Sequence, residues 1–445
     1  MAREQWTSNL GFILAAAGSA VGLGNIWRFS YVVGTEGGAA FVLIYLVTIF
    51  LIGYPLLTTE IALGRKTQKN PVGAFKALAP NSPWWLVGAM GVLAGFVILS
   101  FYSIVAGWSL AYVFKALGGF NAGDDFTGMF VGHITSVWPP IIWHAVFMAL
   151  TIGIIASGVV NGIQRATKIL MPVLFLLLIV LVVRGLTLEG AGAGVAFFLT
   201  PNLGDVTGET FLRAVGQSFF TLSLGMGALI TYGSYLKRED NISDSAGWVV
   251  GLDTGVAIIA GFAIFPAVFA LGFDPASGAG LAFMTLPAVF AAMPAGTIFG
   301  FMFFLLLSVA ALTSAISLLE VVVAWVVDEK GWTRKQAALT IGGIIFLTGL
   351  PPTLGMSLWS NVTFLGMDIL DTYDFFASDI LLPLGGLLTA IFAAHVWKTK
   401  NAVEEINSPK GTIVFGNWYT ILVGYIIPIS VAVVMVWGLY TKLFS

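Results

Sequence analysis

Apolar stretches of about 20 residues, long enough to cross a hydrocarbon core, recur from one end of this chain to the other. Few folds tolerate that. In lipid every backbone polar group must be satisfied within the protein, so uninterrupted apolar runs of this length are read as helices. The chain has 445 residues, 58% hydrophobic and 9% charged, whereas a soluble chain carries roughly a quarter of its residues as charges. The expected fold class is therefore all-α: a polytopic membrane protein in contact with a lipid bilayer. Trp84, Trp85, Trp138, Trp143, Trp397 and Trp418 fall at predicted span ends, as an aromatic belt requires.

Eleven spans are predicted, at about 8–30, 39–64, 86–114, 137–157, 163–184, 210–236, 246–271, 297–327, 336–350, 364–397 and 412–440. Polar connectors separate them, among them GRKTQKN at 64–70, YLKREDNISD at 235–244 and KTKNAVEEINSPK at 398–410. Most Lys and Arg then share the side of Arg3, Arg65, Lys66, Lys237, Arg334 and Lys398, while Lys115, Arg184, Arg213 and Lys442 fall opposite and Arg28 lies within the membrane. The positive-inside rule predicts a cytoplasmic N-terminus, and the odd number of spans an extracellular C-terminus. The expected location is the cell inner (plasma) membrane.

Several function classes fit poorly. The chain has no cysteine, hence neither disulfides nor thiolate metal sites, and no cleavable signal peptide is visible. His133, His144 and His395 are too scattered for a metal cluster. No nucleophile–base pair is evident, so an enzyme is not expected, and neither is a nucleic-acid partner. A channel would need a continuous polar pore, yet the polar intramembrane residues gather at one depth.

Two spans stand apart. The first contains GSAVGLGNIWRFS (18–30) and the sixth TLSLGMG (221–227), each with glycines and small polar residues at mid-depth. They lie five spans apart, so the second enters the membrane from the opposite face. Paired Gly-interrupted segments in corresponding positions point to an inverted repeat of broken helices around a central site. Small-residue packing seams also carry glycine, but a seam does not need Asn25 or Thr221. Unwinding frees backbone groups that must line a cavity or bind something. Half-helix N-termini favour an anion and freed carbonyls a small cation. Such a site suits a zwitterion with Na⁺: the carboxylate near the N–H groups of Leu23 and Gly24, the ammonium near the carbonyls of Ala20, Phe220 and Thr221.

The run GSAVGLGNIWRF, with REQW before it and GGAAFVLIYL after it, resembles the first helix of the neurotransmitter:sodium symporter family. PLLTTEIALGR (55–65), GQSFFTLSLGMGALITYGSY (216–235) and LTSAISLLEVVVAWVVDE (312–329) follow in the family's order along nearly the whole chain. Bacterial hydrophobic-amino-acid members are the most similar. The resemblance implies the LeuT-type fold: a first five-helix repeat at 1–190, an inverted second repeat at 205–398, and an eleventh helix at 399–445, the first and sixth helices being unwound. It implies a sodium-coupled symporter for hydrophobic L-amino acids, aromatic and aliphatic, working by alternating access as a monomer or weak oligomer. A carrier of small zwitterions such as glycine or an osmolyte is the alternative.

Site residues follow from the same resemblance. Two Na⁺ sites are implied: the first from Ala20, Asn25, Thr221 and Asp253, the second from Gly18, Val21, Ala310, Thr313 and Ser314. Most members carry Asn where this chain has Asp253, and a carboxylate in the bilayer calls for a cation partner. Tyr45, Gln217 and Thr221 match the surroundings of a chloride that many animal members need, but Ala257 stands where Ser or Glu is expected. No chloride requirement is therefore expected, Asp253 supplying the charge. The substrate pocket is implied at Ala20, Leu23, Gly24, Ile98, Tyr102, Phe220, Thr221, Ser223, Met226, Ser314 and Leu318. Monoamine-carrying relatives place an Asp at the position of Gly22, so with Gly22 the cargo should keep its own carboxylate. Arg28 and Asp374 match an outer gate, and Arg3, Trp6, Ser234, Tyr235 and Asp328 an inner one. Gly162 and Pro172 mark a helix start that can unwind toward the cytoplasm, because proline removes a helix hydrogen bond and glycine lowers helix stability.

Overall fold

The structure, a computed structural model, describes residues 4–276 and 278–444. Among the described residues the chain is helical throughout, its one β-bridge being the isolated pair Phe364 and Met367. Nine helices among the described residues are long and apolar enough to cross a membrane: α3 (Ala39–Thr67), α4 (Trp85–Leu117), α5 (Trp138–Ala156), α6 (Val159–Leu186), α9 (Ile242–Ala270), α10 (Gly296–Lys330), α11 (Arg334–Leu354), α12 (Ile369–Val396) and α13 (Asn417–Tyr440). Before them, α1 (Asn9–Ala20) and α2 (Gly24–Thr35) form a single span bent by 51°. Between α6 and α9, the helices α7 (Gly208–Thr221) and α8 (Ala228–Gly233) are separated by six non-helical residues, 222–227.

Local chemistry accounts for the starts and the breaks. Ser8 caps α1 by accepting from Gly11 N at 3.1 Å, and Asn241 caps α9 by accepting from Asp244 N at 2.8 Å, which satisfies N–H groups that a helix start leaves unpaired. α1 ends because Val21 turns extended (φ −73°, ψ 107°). The break after α7 holds three residues at positive φ: Ser223 (55°), Gly225 (80°) and Gly227 (74°). Gly225 is required twice over. Its backbone is left-handed, and a Cβ there would lie 2.2 Å from Leu382 O on α12.

The packing puts both breaks at the centre. α10 runs beside α4 and against α1, and α9 packs on α1 and α6. α10 is the most enclosed span, 83% buried, whereas α13 is 22% buried and presents its apolar surface outward. That contrast is the pattern of a core helix against a lipid-facing one.

The predicted spans overlap these helices, with ends shifted by a few residues. The largest differences are at the first, which runs on to Thr35, and at the tenth and eleventh, which start at Ile369 and Asn417. α6 starts at Val159 rather than 163, and its first six residues form a wide π-turn. Gly162 lies inside that turn and Pro172 inside the helix proper, so the segment expected to unwind is wound in this conformation.

Candidate functional site

The two breaks face each other. Asn25 Nδ2 donates to Asp253 Oδ1 at 2.7 Å and to Asp253 O at 3.0 Å, and Thr221 Oγ1 donates to the same Oδ1 at 3.0 Å. Asn25 Oδ1 accepts from Gly22 N at 2.9 Å, tying the side chain back across the unwound turn. All three side chains are at most 1% exposed. Asp253 Oδ2 has no partner among the described residues, and Lys and Arg form no ion pair with it. A buried carboxylate with one oxygen left over is expensive unless a cation meets it. Its neighbours are oxygen donors, the type a hard cation such as Na⁺ prefers.

A second cluster of oxygens joins α1 to α10. Thr313 Oγ1 donates to Ala310 O at 2.9 Å and to Val21 O at 3.3 Å. Ser314 Oγ reaches Ser19 O at 3.1 Å and Val21 O at 3.3 Å. Gly18 is what lets the helices approach this closely, since a Cβ there would sit 3.3 Å from Thr313 Cβ and 3.4 Å from Thr167 Cγ2. No carboxylate takes part, so the cluster is neutral.

Between the clusters lies a cavity of about 30 Å³, lined by Ser19, Ala20, Gly22, Gly24, Ile98, Tyr102, Phe220, Ser223, Met226, Ser314 and Leu318. Of the residues expected around a substrate, Leu23 and Thr221 are absent from this lining. Leu23 instead faces a vestibule of about 300 Å³ above, and Thr221 is turned to Asp253. Ser19 is an addition that the sequence reading missed, although it stands inside the glycine-rich break. Tyr102 Oη accepts from Leu23 N at 3.2 Å.

Tyr102 and Phe220 line both the cavity and the vestibule, so they form the partition between them. Arg28 lies on that partition with its guanidinium carbon 4.5 Å from the Phe220 ring centroid. Asp374 lines the same vestibule, and its Oδ1 accepts from Ser378 at 2.6 Å. Arg28 and Asp374 thus share a space without forming an ion pair among the described residues. The expected contact is not made in this arrangement because Arg28 stacks on the aromatic ring instead.

On the opposite side the chain is tightly closed. Trp6 is 1% exposed; its indole donates to Tyr232 O at 3.0 Å and its backbone N to Tyr235 O at 3.1 Å. Tyr235 Oη donates to Glu320 Oε1 at 2.5 Å, and Glu320 pairs with Arg334, which also donates to Ile155 O at 2.9 Å. Asp328 accepts from Asn70 N and Nδ2, both at 3.1 Å. Ser234 donates to Thr231 O at 2.5 Å. Arg3 lies outside the described residues. Glu320 and Arg334 were not anticipated as members of this network. The signal was present: Glu320 is a carboxylate inside an apolar run, the same anomaly that marks Asp253. Glu60, also within a span, accepts from Gly225 N at 2.8 Å and so holds the second break.

The neighbourhood of Asp253 carries further unpaired oxygens. The Tyr45 hydroxyl lies beside Asp253, Thr221 and Thr254, and among the described residues Tyr45 Oη, Gln217 Oε1 and Thr254 Oγ1 are buried with no well-aligned hydrogen-bond partner. Gln217 Nε2 donates to Gly24 O at 2.8 Å, which holds the other edge of the first break.

The profile of the family described as "Sodium:neurotransmitter symporter family" matches residues 3–122 and 134–443. The crystal structure of MhsT in complex with L-phenylalanine superposes with a TM-score of 0.91 at 49% identity, over 100% of both chains. The sodium-dependent transporter YhdH of Bacillus subtilis is 44% identical over 97% of this chain and 96% of its own. The sodium- and chloride-dependent taurine transporter of Bos taurus is 27% identical over 92% of this chain and 74% of its own.

Proposed function

The chain belongs to the sodium:neurotransmitter symporter family and is a sodium-dependent symporter, and from that premise we propose that it imports hydrophobic L-amino acids, aromatic and aliphatic, without chloride. One observation carries the cargo assignment. The central cavity has an apolar wall of Ile98, Met226 and Leu318, no acidic side chain lines it, and Gly22 stands at the turn. A ligand whose amine needed a protein carboxylate would find none. A zwitterion brings its own, which fits N–H groups at Leu23 and Gly24 and the Tyr102 hydroxyl. Similarity to a protein crystallised with L-phenylalanine supports the same reading.

The first Na⁺ is held by Asn25, Thr221, Asp253 and the carbonyl of Ala20, together with the cargo carboxylate. The second is held by the carbonyls of Gly18, Val21 and Ala310 with Thr313 and Ser314. Because the first ion shares its shell with the cargo, each strengthens the binding of the other. Tyr102 and Phe220, closed here with Arg28 stacked on the Phe220 ring, part to admit cargo from the vestibule, and Arg28 and Asp374 form the outer gate above them. Release to the cytoplasm requires Trp6 to leave its pocket and the π-turn around Gly162 to unwind. The two five-span halves, 1–190 and 205–398, rock about the shared site in the plasma membrane, the N-terminus being cytoplasmic.

Chloride independence follows from charge. Asp253 already places a negative charge among Tyr45, Gln217 and Thr254, and an anion added there would be repelled in a medium of low dielectric. Uptake is expected to be unchanged when chloride is replaced by gluconate; strict chloride dependence would refute this part alone.

The cargo is tested by Na⁺-dependent binding of radiolabelled phenylalanine to the purified protein, displaced in turn by all twenty amino acids. Displacement by leucine, phenylalanine and tryptophan but not glycine is expected. Glycine or taurine displacing as well as leucine would favour the small-zwitterion alternative.

A further inference from the structure

Four serine hydroxyls meet at one side of the central cavity, and each has a single hydrogen to give. Ser317 Oγ donates to Ser314 O at 2.8 Å. Ser223 Oγ donates to Ser19 O at 3.0 Å. Ser314 Oγ donates to Ser19 O at 3.1 Å, which leaves Val21 O, at 3.3 Å, and a Ser314 lone pair for the second ion. Ser19 Oγ then donates to Ser317 Oγ at 2.7 Å, with Ser223 Oγ a longer option at 3.3 Å. Every hydroxyl hydrogen is spent on a carbonyl or a neighbouring serine, while oxygen lone pairs remain. Ser19, Ser223 and Ser314 line the cavity, so the serines present acceptors and no free hydrogen, while the Tyr102 hydroxyl beside Ser314 is turned to the cargo carboxylate.

On the amino-acid cargo inferred above, we propose that this serine corner, centred on Ser19, selects side chains that end in a hydrogen-bond donor, the indole N–H of tryptophan first among them. The apolar wall of Ile98, Met226 and Leu318 takes the ring in either case. What the corner adds is an acceptor for one N–H beside that apolar wall. A ring with nothing to donate leaves those lone pairs unsatisfied, at the cost of a buried acceptor. An acceptor on the ring is worse still, since it meets oxygen. Backbone geometry keeps the corner in place: Ser223 is held at φ 55° within the second break, and the Ser19 carbonyl takes hydrogens from both Ser223 and Ser314. Ser19 acts as a specificity residue, with Ser317 as the positioning residue that fixes which way its hydrogen points.

The test compares L-tryptophan with 3-(3-benzothienyl)-L-alanine, in which sulfur replaces the N–H within a ring of nearly the same size. Each displaces radiolabelled phenylalanine from the purified full-length protein in Na⁺. Tryptophan is expected to bind about three- to tenfold more tightly than the sulfur analogue, the range of one neutral hydrogen bond. In Ser19→Ala that ratio should fall toward one. In Ser317→Ala, which frees the Ser19 hydrogen to turn toward the cavity, it should fall part of the way. Equal affinities for the two ligands in the unmodified protein would overturn the proposal without any variant having to fold, and so would a ratio that Ser19→Ala leaves intact. Loss of Na⁺-dependent phenylalanine binding by the unmodified protein would instead overturn the cargo reading, so the two failures are distinguishable.

Discussion

At the scale of single residues, the site depends on what Gly22 and Asp253 do not share with ordinary membrane helices. A Cβ at Gly22 would lie 2.2 Å from Ser314 Oγ and 2.9 Å from Tyr102 Oη. Any side chain there fills the cavity and pushes aside two lining hydroxyls. Gly22→Asp should therefore abolish amino-acid uptake while the protein still reaches the membrane, and normal uptake would show that the cavity is not the binding site. Asp253 is a different case, because its worth is electrostatic. Asn at this position keeps the size and one acceptor oxygen but removes the charge that offsets a bound cation. Asp253→Asn is expected to raise the Na⁺ concentration for half-maximal phenylalanine binding by about tenfold or more, the scale of a charge-assisted contact. An unchanged Na⁺ requirement would remove Asp253 from the ion shell.

Among elements, the C-terminal end of α3 shows how charge asymmetry decides the outcome of a substitution. Arg65 is 1% exposed; its Nε lies 2.9 Å from Glu405 Oε1 and its Nη1 donates to Asp240 O at 2.5 Å. Glu405, on the helix Thr399–Ile406, also faces Lys66 at 3.4 Å and Arg238 at 3.6 Å. The carboxylate has three cations, whereas the buried guanidinium has one carboxylate. Replacing Arg65 leaves Glu405 with two partners, both more exposed. Replacing Glu405 strands Arg65 in the interior, a loss on the order of 3–5 kcal/mol for a broken buried pair. Thermal melts in detergent should therefore show Glu405→Gln less stable than Arg65→Gln; the reverse order would mean that the pair's worth lies in packing. The same comparison of elements explains why the segment expected to unwind is wound here. Glycine and proline mark α6 as able to unwind, but whether it does so depends on what caps it. Here Glu4 accepts from Val159 N at 2.6 Å and Gln164 accepts from Thr7 N at 3.1 Å, so the chain's own start holds the turn wound.

For the molecule as a whole, transport is a statement about linkage between sites. On the proposed assignment, cargo and Na⁺ share the space between two broken spans, so phenylalanine must raise Na⁺ affinity by the same factor by which Na⁺ raises phenylalanine affinity. Paired titrations on the purified protein should give equal factors, about fivefold or more, the lower end of ordinary coupling energies. Unequal factors are thermodynamically inadmissible for one site and would point to a further binding event. In the conformation described, Tyr102 and Phe220 separate the cavity from the vestibule, and Trp6 and the Glu320–Arg334 network close the opposite side. With about 30 Å³ of free space it must expand to hold an amino-acid side chain. Met226, unbranched and flanked by two glycines, is the wall best able to yield.

What the sequence determined by itself is whatever hydrophobic length and backbone chemistry dictate locally. Twenty-residue apolar runs could only be spans, and the glycines at 22, 24, 225 and 227 could only weaken a helix. An acid or amide at mid-depth, as at Asn25 and Asp253, could only be there to meet something. Which groups meet was decided by tertiary packing, because a helix fixes the face a side chain occupies but not the neighbour it finds. Arg28 turned to the Phe220 ring rather than to Asp374. Glu320 found Arg334 and Tyr235, partners lying 14 and 85 residues away in the chain. Ser19 became part of a four-hydroxyl corner only because α10 and the break after α7 close on it from two sides.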